Sequence, residues 1–269
     1  MPELPEIANR TREINNLLVG KQISTIDILQ PKCLNMEPQD FQKSLLGATI
    51  LGARYKGKWI FVETSQGWLL LNMGMGGEMI LTTPDNLPEK HRLIFHFSDQ
   101  TCLAVNFWWF GYAHSVAVNE LDQHEMSAKL GPNALDLSLQ EFQELLVNRR
   151  GALKSFLLNQ SNIAGIGNAY IHDILFFAKL HPLRSIPSLS NEEISNLYHG
   201  IQKGLRMSLD KGGAFYELNL HGQKGGFLME DLVIAYREDQ PCPECGTPII
   251  KIKTGSNSSF ICPNCQPLI

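Results

Sequence analysis

Four cysteines near the end of the chain constrain its fold more tightly than any other feature. Cys242 and Cys245 flank two residues, Cys262 and Cys265 repeat that spacing, and 16 residues separate the pairs. Two such knuckles with roughly 15–20 residues between them match the spacing of a zinc site. Four thiolates complete a tetrahedron and leave no open position, which makes the metal structural rather than catalytic. A disulfide reading would require an oxidising compartment that the sequence does not advertise. A ribbon this short cannot build a core of its own, so holding the metal and folding are one event. Cys33 and Cys102 stand apart and are expected to be unpaired thiols.

The remainder has room for two domains, at 269 residues with 43% hydrophobic and 19% charged content. No apolar run approaches the ~20 residues of a membrane helix. Charges at Glu3 and Glu6 stand where a signal peptide would be apolar, so a cytoplasmic location without membrane association is expected. A formal net charge of -4 weighs against a polyanionic partner. The basic residues are clustered, however: Arg54, Lys56 and Lys58 form one group, and Arg149, Arg150, Lys154, Lys179 and Arg184 form another with only Asp173 among them. Such local patches can bind phosphate on an acidic protein.

Hydrophobic periodicity divides the chain. Pro5 at a first helical position and Glu6 in a first turn open a helix that buries Leu4, Ile7, Ile14 and Leu18. Residues 23–29 alternate as a strand and 41–46 suit a short helix. Strand pairs follow at 59–62 with 68–71 and at 93–97 with 102–105, each across a four-residue turn. This half predicts antiparallel sheets packed as a β-sandwich. Gly131-Pro132-Asn133 breaks the pattern. Helices follow, two of them opened by the capping boxes Ser138 to Glu141 and Ser190 to Glu193. The expected fold is α+β with domains at 1–131, 132–238 and 239–269.

Three loops carry chemistry. Lys58 follows Gly57 at a bend in a strand pattern, which suits either a solvated edge-strand lysine or one pointing back toward the chain start. Met73-Gly74-Met75-Gly76-Gly77 suits an exposed loop better than a core. Residues 157–168 read as a helix end, a two-glycine turn and a helix N-capped by Asn168, with backbone N–H groups of Gly165 to Gly167 turned outward where a phosphate could accept them. The chain start has its own potential. Once Met1 is trimmed, Pro2 offers a secondary amine beside the Glu3 carboxylate, and an α-amine near pKa 7.7–8.0 is far more often neutral at pH 7 than a lysine near 10.4.

Together these pieces resemble the formamidopyrimidine-DNA glycosylase and endonuclease VIII family of base-excision repair enzymes. The resemblance runs from the Pro-Glu-Leu-Pro-Glu start through Lys58, Met73 to Gly77, Leu130-Gly131-Pro132, Gly165 to Tyr170 and His181-Pro182 to the cysteine ribbon. It implies a β-sandwich joined to a helix-two-turn-helix domain with a zinc finger, one structural zinc and no organic cofactor, and a monomer acting on damaged DNA in the nucleoid. It further implies that Pro2 attacks C1′ of an extruded damaged nucleotide to give a Schiff base, after which elimination cuts the strand. Glu3 would exchange protons near the sugar ring oxygen and Lys58 would supply a supporting cation. Lys154 and Asn168 match phosphate-contacting positions, and Met75 and Phe110 match residues that wedge the stack.

The chain also departs from the family pattern. Trp108-Trp109-Phe110-Gly111 stands where Arg-Arg-Phe-Gly is usual, placing Trp109 at the position of the arginine that pairs with the orphaned base. Alternation along residues 105–112 would turn one tryptophan inward, with Trp109 the outward one. Asn257 replaces the finger arginine, a charged phosphate contact of ~1.5–3 kcal/mol, and Asp173 stands for a glutamate. Two readings follow: an active glycosylase/lyase whose lesion choice is shifted away from 8-oxoguanine, or a lesion-binding homologue with little catalysis. Retention of Pro2, Glu3 and Lys58 favours the first.

Overall fold

The structure is a computed structural model that describes residues 1–255 and 257–268. The chain forms two compact units, one of Met1–Lys129 with Lys211–Gly226 and the other of Leu130–Asp210 with Phe227–Ile269.

The first unit opens with helix α1 (Leu4–Leu17), one residue earlier than the proline rule suggests, because Glu3 rather than Leu4 is the N-cap. The Glu6 carboxylate accepts the Glu3 N–H at 2.9 Å, satisfying one of the donors a helix start leaves unpaired. Strand β1 (Ile23–Ile28), helix α2 (Pro38–Leu45) and strands β2 (Ile50–Lys56), β3 (Trp59–Thr64), β4 (Gly67–Asn72), β5 (Glu78–Thr82), β6 (Leu93–Phe97), β7 (Cys102–Asn106) and β8 (Tyr112–Val116) follow, with a short helix α3 (Glu125–Ala128). The strands make two antiparallel four-stranded sheets, ordered β1-β6-β7-β5 and β2-β3-β4-β8. Both 93–97 with 102–105 and 59–62 with 68–71 pair in register as hairpins. One core holds Ile60, Val62, Leu69 and Leu71 from one sheet with Phe95, Leu103 and Val105 from the other, and Ile7, Ile14 and Leu18 of α1 close it. Period-two alternation delivers this directly, since inward residues of both sheets meet at a common face. Asn15 of α1 pairs with both the N–H and the C=O of Ala53, at 2.7 and 2.9 Å, so the exposed edge of β2 is satisfied by a side chain.

The second unit contains α4 (Leu139–Leu146), α5 (Leu153–Leu158), α6 (Ile171–Phe177), α7 (Asn191–Asp210) and a terminal hairpin of β9 (Ile250–Thr254) and β10 (Asn257–Ile261). Both capping boxes form, Glu141 N–H to Ser138 Oγ at 3.2 Å and Glu193 N–H to Ser190 Oγ at 3.1 Å. Phe176 of α6 shares a core with Ile234, Ile249, Phe260, Cys242 and Cys262, so the cysteine ribbon packs on α6. Asp173 fixes the same junction by accepting the N–H groups of Val233, Ile234 and Ala235 at 2.8–3.0 Å. Burial pushes the Asp173 carboxyl above its usual range, against those three donors. Among the described residues no helix is long and apolar enough to cross a membrane.

Candidate active site and nucleic-acid interface

The site is best built from the chain start. Pro2 and Glu3 are buried while Met1 stays exposed, so α1 holds the second and third residues against the fold and leaves the first at the surface. The β2–β3 turn, at Gly57-Lys58, brings Lys58 Nζ to 4.0 Å from Met1 Sδ. Met1's own nitrogen lies 3.9 Å from Glu217 Oε1, and Glu217 is buried. Glu6 bridges these parts, since its second oxygen accepts the Ala214 N–H at 3.1 Å. A carboxylate pair, a lysine and the chain's amine thus converge within one unit. Glu217 was not among the residues singled out from sequence. The available signal was Gly212-Gly213, which ends α7 and starts a return of the chain, but nothing local names what the returning segment meets.

The glycine-rich loop and the 107–111 turn interlock. Met75 N–H donates to Trp109 C=O at 2.9 Å, and Gly74, at φ +56, lies so close that a Cβ there would stand 2.1 Å from that same oxygen. Only glycine combines that backbone angle with that approach. Met73 is buried in the core and Met75 is 45% exposed, so the loop splits its two methionines rather than presenting both. Alternation fails at 107–111 because β7 ends at Asn106. Phe107 takes the inward place, and Trp108, Trp109 and Phe110 are 60%, 63% and 69% exposed, with Phe110 held at φ +54. Both tryptophans therefore face solvent, contrary to the expectation that one would turn in. Lys90 Nζ lies 5.4 Å from the Trp108 ring centre, a cation–π contact.

The second unit corrects the expectations for Asn168 as an N-cap and for an outward Gly165 N–H, and shows where Lys154 is held. Asn168 is exposed but is not the N-cap, because a turn over 168–170 delays α6 to Ile171. Gly165 to Gly167 are buried, and the Gly165 N–H donates inward to Gln160 Oε1 at 2.9 Å. Lys154 is only 3% exposed, with Nζ donating to Thr254 Oγ1, Ser258 C=O and Ser259 Oγ at 3.2, 2.7 and 2.8 Å. An ammonium has three protons, so the β9–β10 hairpin occupies all of them. Burial without a carboxylate partner brings Lys154 down to about 8. The basic cluster around it is similarly engaged: Lys179 pairs with Glu244 and Arg184 with Glu193, leaving Arg149 and Arg150 exposed. Asn257 opens β10 and is exposed.

The four thiols of Cys242, Cys245, Cys262 and Cys265 lie within 4.8 Å of one another, with individual separations of 3.4, 3.5 and 3.9 Å. A tetrahedron with Zn–S bonds near 2.3 Å has sulfur–sulfur edges of about 3.8 Å, so the donor set fits zinc in type and size. Bound there, the metal would crosslink the two ends of the ribbon. Cys33 and Cys102 are free and buried, and desolvation raises Cys33 to about 11, which makes it inert.

Known proteins match along the whole chain. Residues 1–106 match the formamidopyrimidine-DNA glycosylase N-terminal domain, 130–218 the formamidopyrimidine-DNA glycosylase H2TH domain, and 239–268 the zinc finger found in FPG and IleRS. The formamidopyrimidine-DNA glycosylase of Streptococcus mutans is 31% identical over 273 residues and that of Streptococcus pneumoniae 34% over 274, with 99% of both chains covered in each case. Lactococcus lactis Fpg, solved in complex with abasic-site DNA, superposes with a TM-score of 0.90 at 28% identity over 98% of this chain and 99% of that one. Its complex with Fapy-dG containing DNA gives 0.89 over 98% and 100%. Three domains in the same order, full-length identity and a shared fold leave one assignment: the chain belongs to the formamidopyrimidine-DNA glycosylase family.

Proposed function

We propose that the protein is a base-excision DNA glycosylase with lyase activity, working as a monomer on damaged DNA, with Pro2 as its nucleophile. The observation that carries this reading is the convergence at the chain start, where buried Pro2 and Glu3 share one end of α1 and Lys58 approaches from the β2–β3 turn. With Met1 removed, the Pro2 amine attacks C1′, and the bond from C1′ to the damaged base breaks with its electrons leaving on the base. Glu3 protonates the ring oxygen as the sugar opens, giving an iminium between Pro2 and C1′. The iminium acidifies C2′, the Glu3 carboxylate left by that protonation accepts the C2′ proton as the 3′ phosphate is expelled, and a second elimination releases the 5′ phosphate. Lys58 balances the phosphate charge near the reacting sugar.

Recognition follows from the exposed turn. Met75, Trp109 and Phe110 supply apolar surface for the gap left by an extruded nucleotide, and the indole of Trp109 stacks on the orphaned base. Asn168 and Asn257 contribute neutral hydrogen bonds to phosphates, and Lys154 reaches a phosphate only by exchanging one of its three hairpin acceptors. The lesion spectrum accordingly differs from that of 8-oxoguanine readers that use an arginine in place of Trp109.

The test is borohydride reduction in the presence of an oligonucleotide holding one abasic site. The wild-type chain should become covalently attached, and Pro2→Gly should lose most of that product. Tight binding of the abasic DNA with no trapped product at all would instead favour a protein that recognises lesions without cutting them.

A further inference from the structure

The buried carboxylate of Glu217 lies beside the chain's amine and has no part in the mechanism above. Its position is built rather than incidental. Gly213, at φ +101, packs against the Glu6 side chain, where an added Cβ would stand 3.2 Å from Glu6 Cγ. The Ala214 N–H bonds to Glu6, and the Glu217 N–H bonds to Ala214 C=O at 2.9 Å. Further along, Gly225 N–H bonds to Glu217 C=O at 3.1 Å and Leu220 N–H to Glu13 of α1 at 2.9 Å. Residues 213–225 thus form a closed loop tied to α1 at two points, and Glu217 is the side chain that it delivers to the amine. The nitrogen of Met1 and that of Pro2 are separated by two backbone atoms, about 3–3.5 Å. The carboxylate at 3.9 Å from the first is therefore within one residue of the second.

Resting on the reading of Pro2 as nucleophile, we propose that Glu217 is the proton acceptor that converts the Pro2 ammonium into the attacking amine. The proton balance is simple. Glu217 takes one proton from the secondary ammonium, whose freed lone pair forms the bond to C1′. The nitrogen's remaining proton passes after attack to the departing base anion, which leaves neutral, and the nitrogen then forms the iminium as the ring oxygen is protonated by Glu3. The charged groups acting on Glu217 are Glu6 and Arg10 of α1, Glu78 of β5 and the chain's own amine. Burial, with Glu6 second, pushes it up to about 7. An acceptor poised near neutrality suits the task, because a strongly ionised carboxylate would hold the amine as an ammonium.

The experiment measures the rate of cyanoborohydride trapping on abasic-site DNA from pH 6 to pH 9, with the trapped residue mapped by mass spectrometry. Glu217→Gln should slow trapping about tenfold or more near pH 7.5, where the carboxylate is ionised and the amine still largely protonated, as loss of a general base does. The deficit should shrink toward pH 9, where hydroxide strips the amine unaided. Glu217→Asp should recover part of the neutral rate. An equal loss at every pH, or none, with the crosslink still on Pro2, overturns the role of Glu217 and leaves the nucleophile standing. A wild-type crosslink on any other residue overturns both, and is seen before a Glu217 variant is made. Should the Gln variant fail to fold, the Asp variant's profile decides: a carboxylate with altered reach must change the slope below pH 7.

Discussion

At the scale of single residues, the proposed stacking role of Trp109, 63% exposed, is open to direct test. A guanidinium distinguishes opposite bases through hydrogen bonds, each good bidentate pair being worth ~1–3 kcal/mol. An indole has one donor and a broad face, and stacking contributes ~1–3 kcal/mol per base with little regard to identity. One abasic lesion placed opposite each base in turn should therefore be processed with less than about tenfold spread, and Trp109→Arg should widen that spread. Wild-type discrimination well above tenfold, or unchanged binding in Trp109→Ala, would remove stacking from the account. Lys154 is the second informative residue. Replacing it with Met leaves Thr254, Ser258 and Ser259 without their shared donor, which should cost about 1–3 kcal/mol of stability and loosen the β9–β10 hairpin. Hydrogen exchange over residues 250–261 reports this, and unchanged protection would show that the hairpin holds itself.

Among the elements, the segment over the outer face of β8 carries a packed histidine pair. His114 Nδ1 and His124 Nε2 are 2.8 Å apart, His124 Nδ1 reaches Ser127 Oγ at 2.8 Å, and both rings pack on Trp59. Burial, with His124 beside it, holds His114 down to about 4, and burial also lowers His124. Both folded-state values lie below the unfolded 6.5, so the unfolded chain binds more protons as acid is added. Stability from His114 is full above about pH 6.5 and lost as pH falls toward 4, on the order of 3 kcal/mol at most, and His124 adds to it in the same direction. Urea midpoints at pH 7.5 and 4.5 should diverge less for His114→Phe than for wild type, and equal divergence would clear the pair. The cysteine ribbon is the other element with a direct test. Metal analysis should find one zinc per chain, and Cys→Ser at any ligand should weaken DNA binding more than it unfolds the sheet unit. Normal binding by metal-free protein would contradict it.

The elements themselves were largely legible. Strand pairs, capping boxes and the thiol cluster follow from spacings of two, three and four residues, and such local rules survive into the fold. Failures arose where distant contacts decide. Phe107 claims the inward slot because β7 stops at Asn106, Lys154 is withdrawn from solvent by serines a hundred residues away, and Glu217 reaches the chain start only through the loop that Glu6 anchors.

At the scale of the whole molecule, a chain with a formal net charge of -4 must meet DNA through local basic groups. Lys154, Lys179 and Arg184 are engaged internally, whereas Arg149 and Arg150 of the same cluster are exposed. Each phosphate contact contributes about 0.9 to the slope of log affinity against log salt. Replacing Arg149 and Arg150 together with Gln should lower that slope by about 2, and an unchanged slope would place the footprint elsewhere. The central claim, a nucleophilic Pro2 at the head of α1, is tested most directly by peptide mapping of the borohydride-trapped complex. The account predicts Met1 absent and the reduced sugar attached to the nitrogen of Pro2. A crosslink on Lys58, or on a chain that still carries Met1, would contradict it.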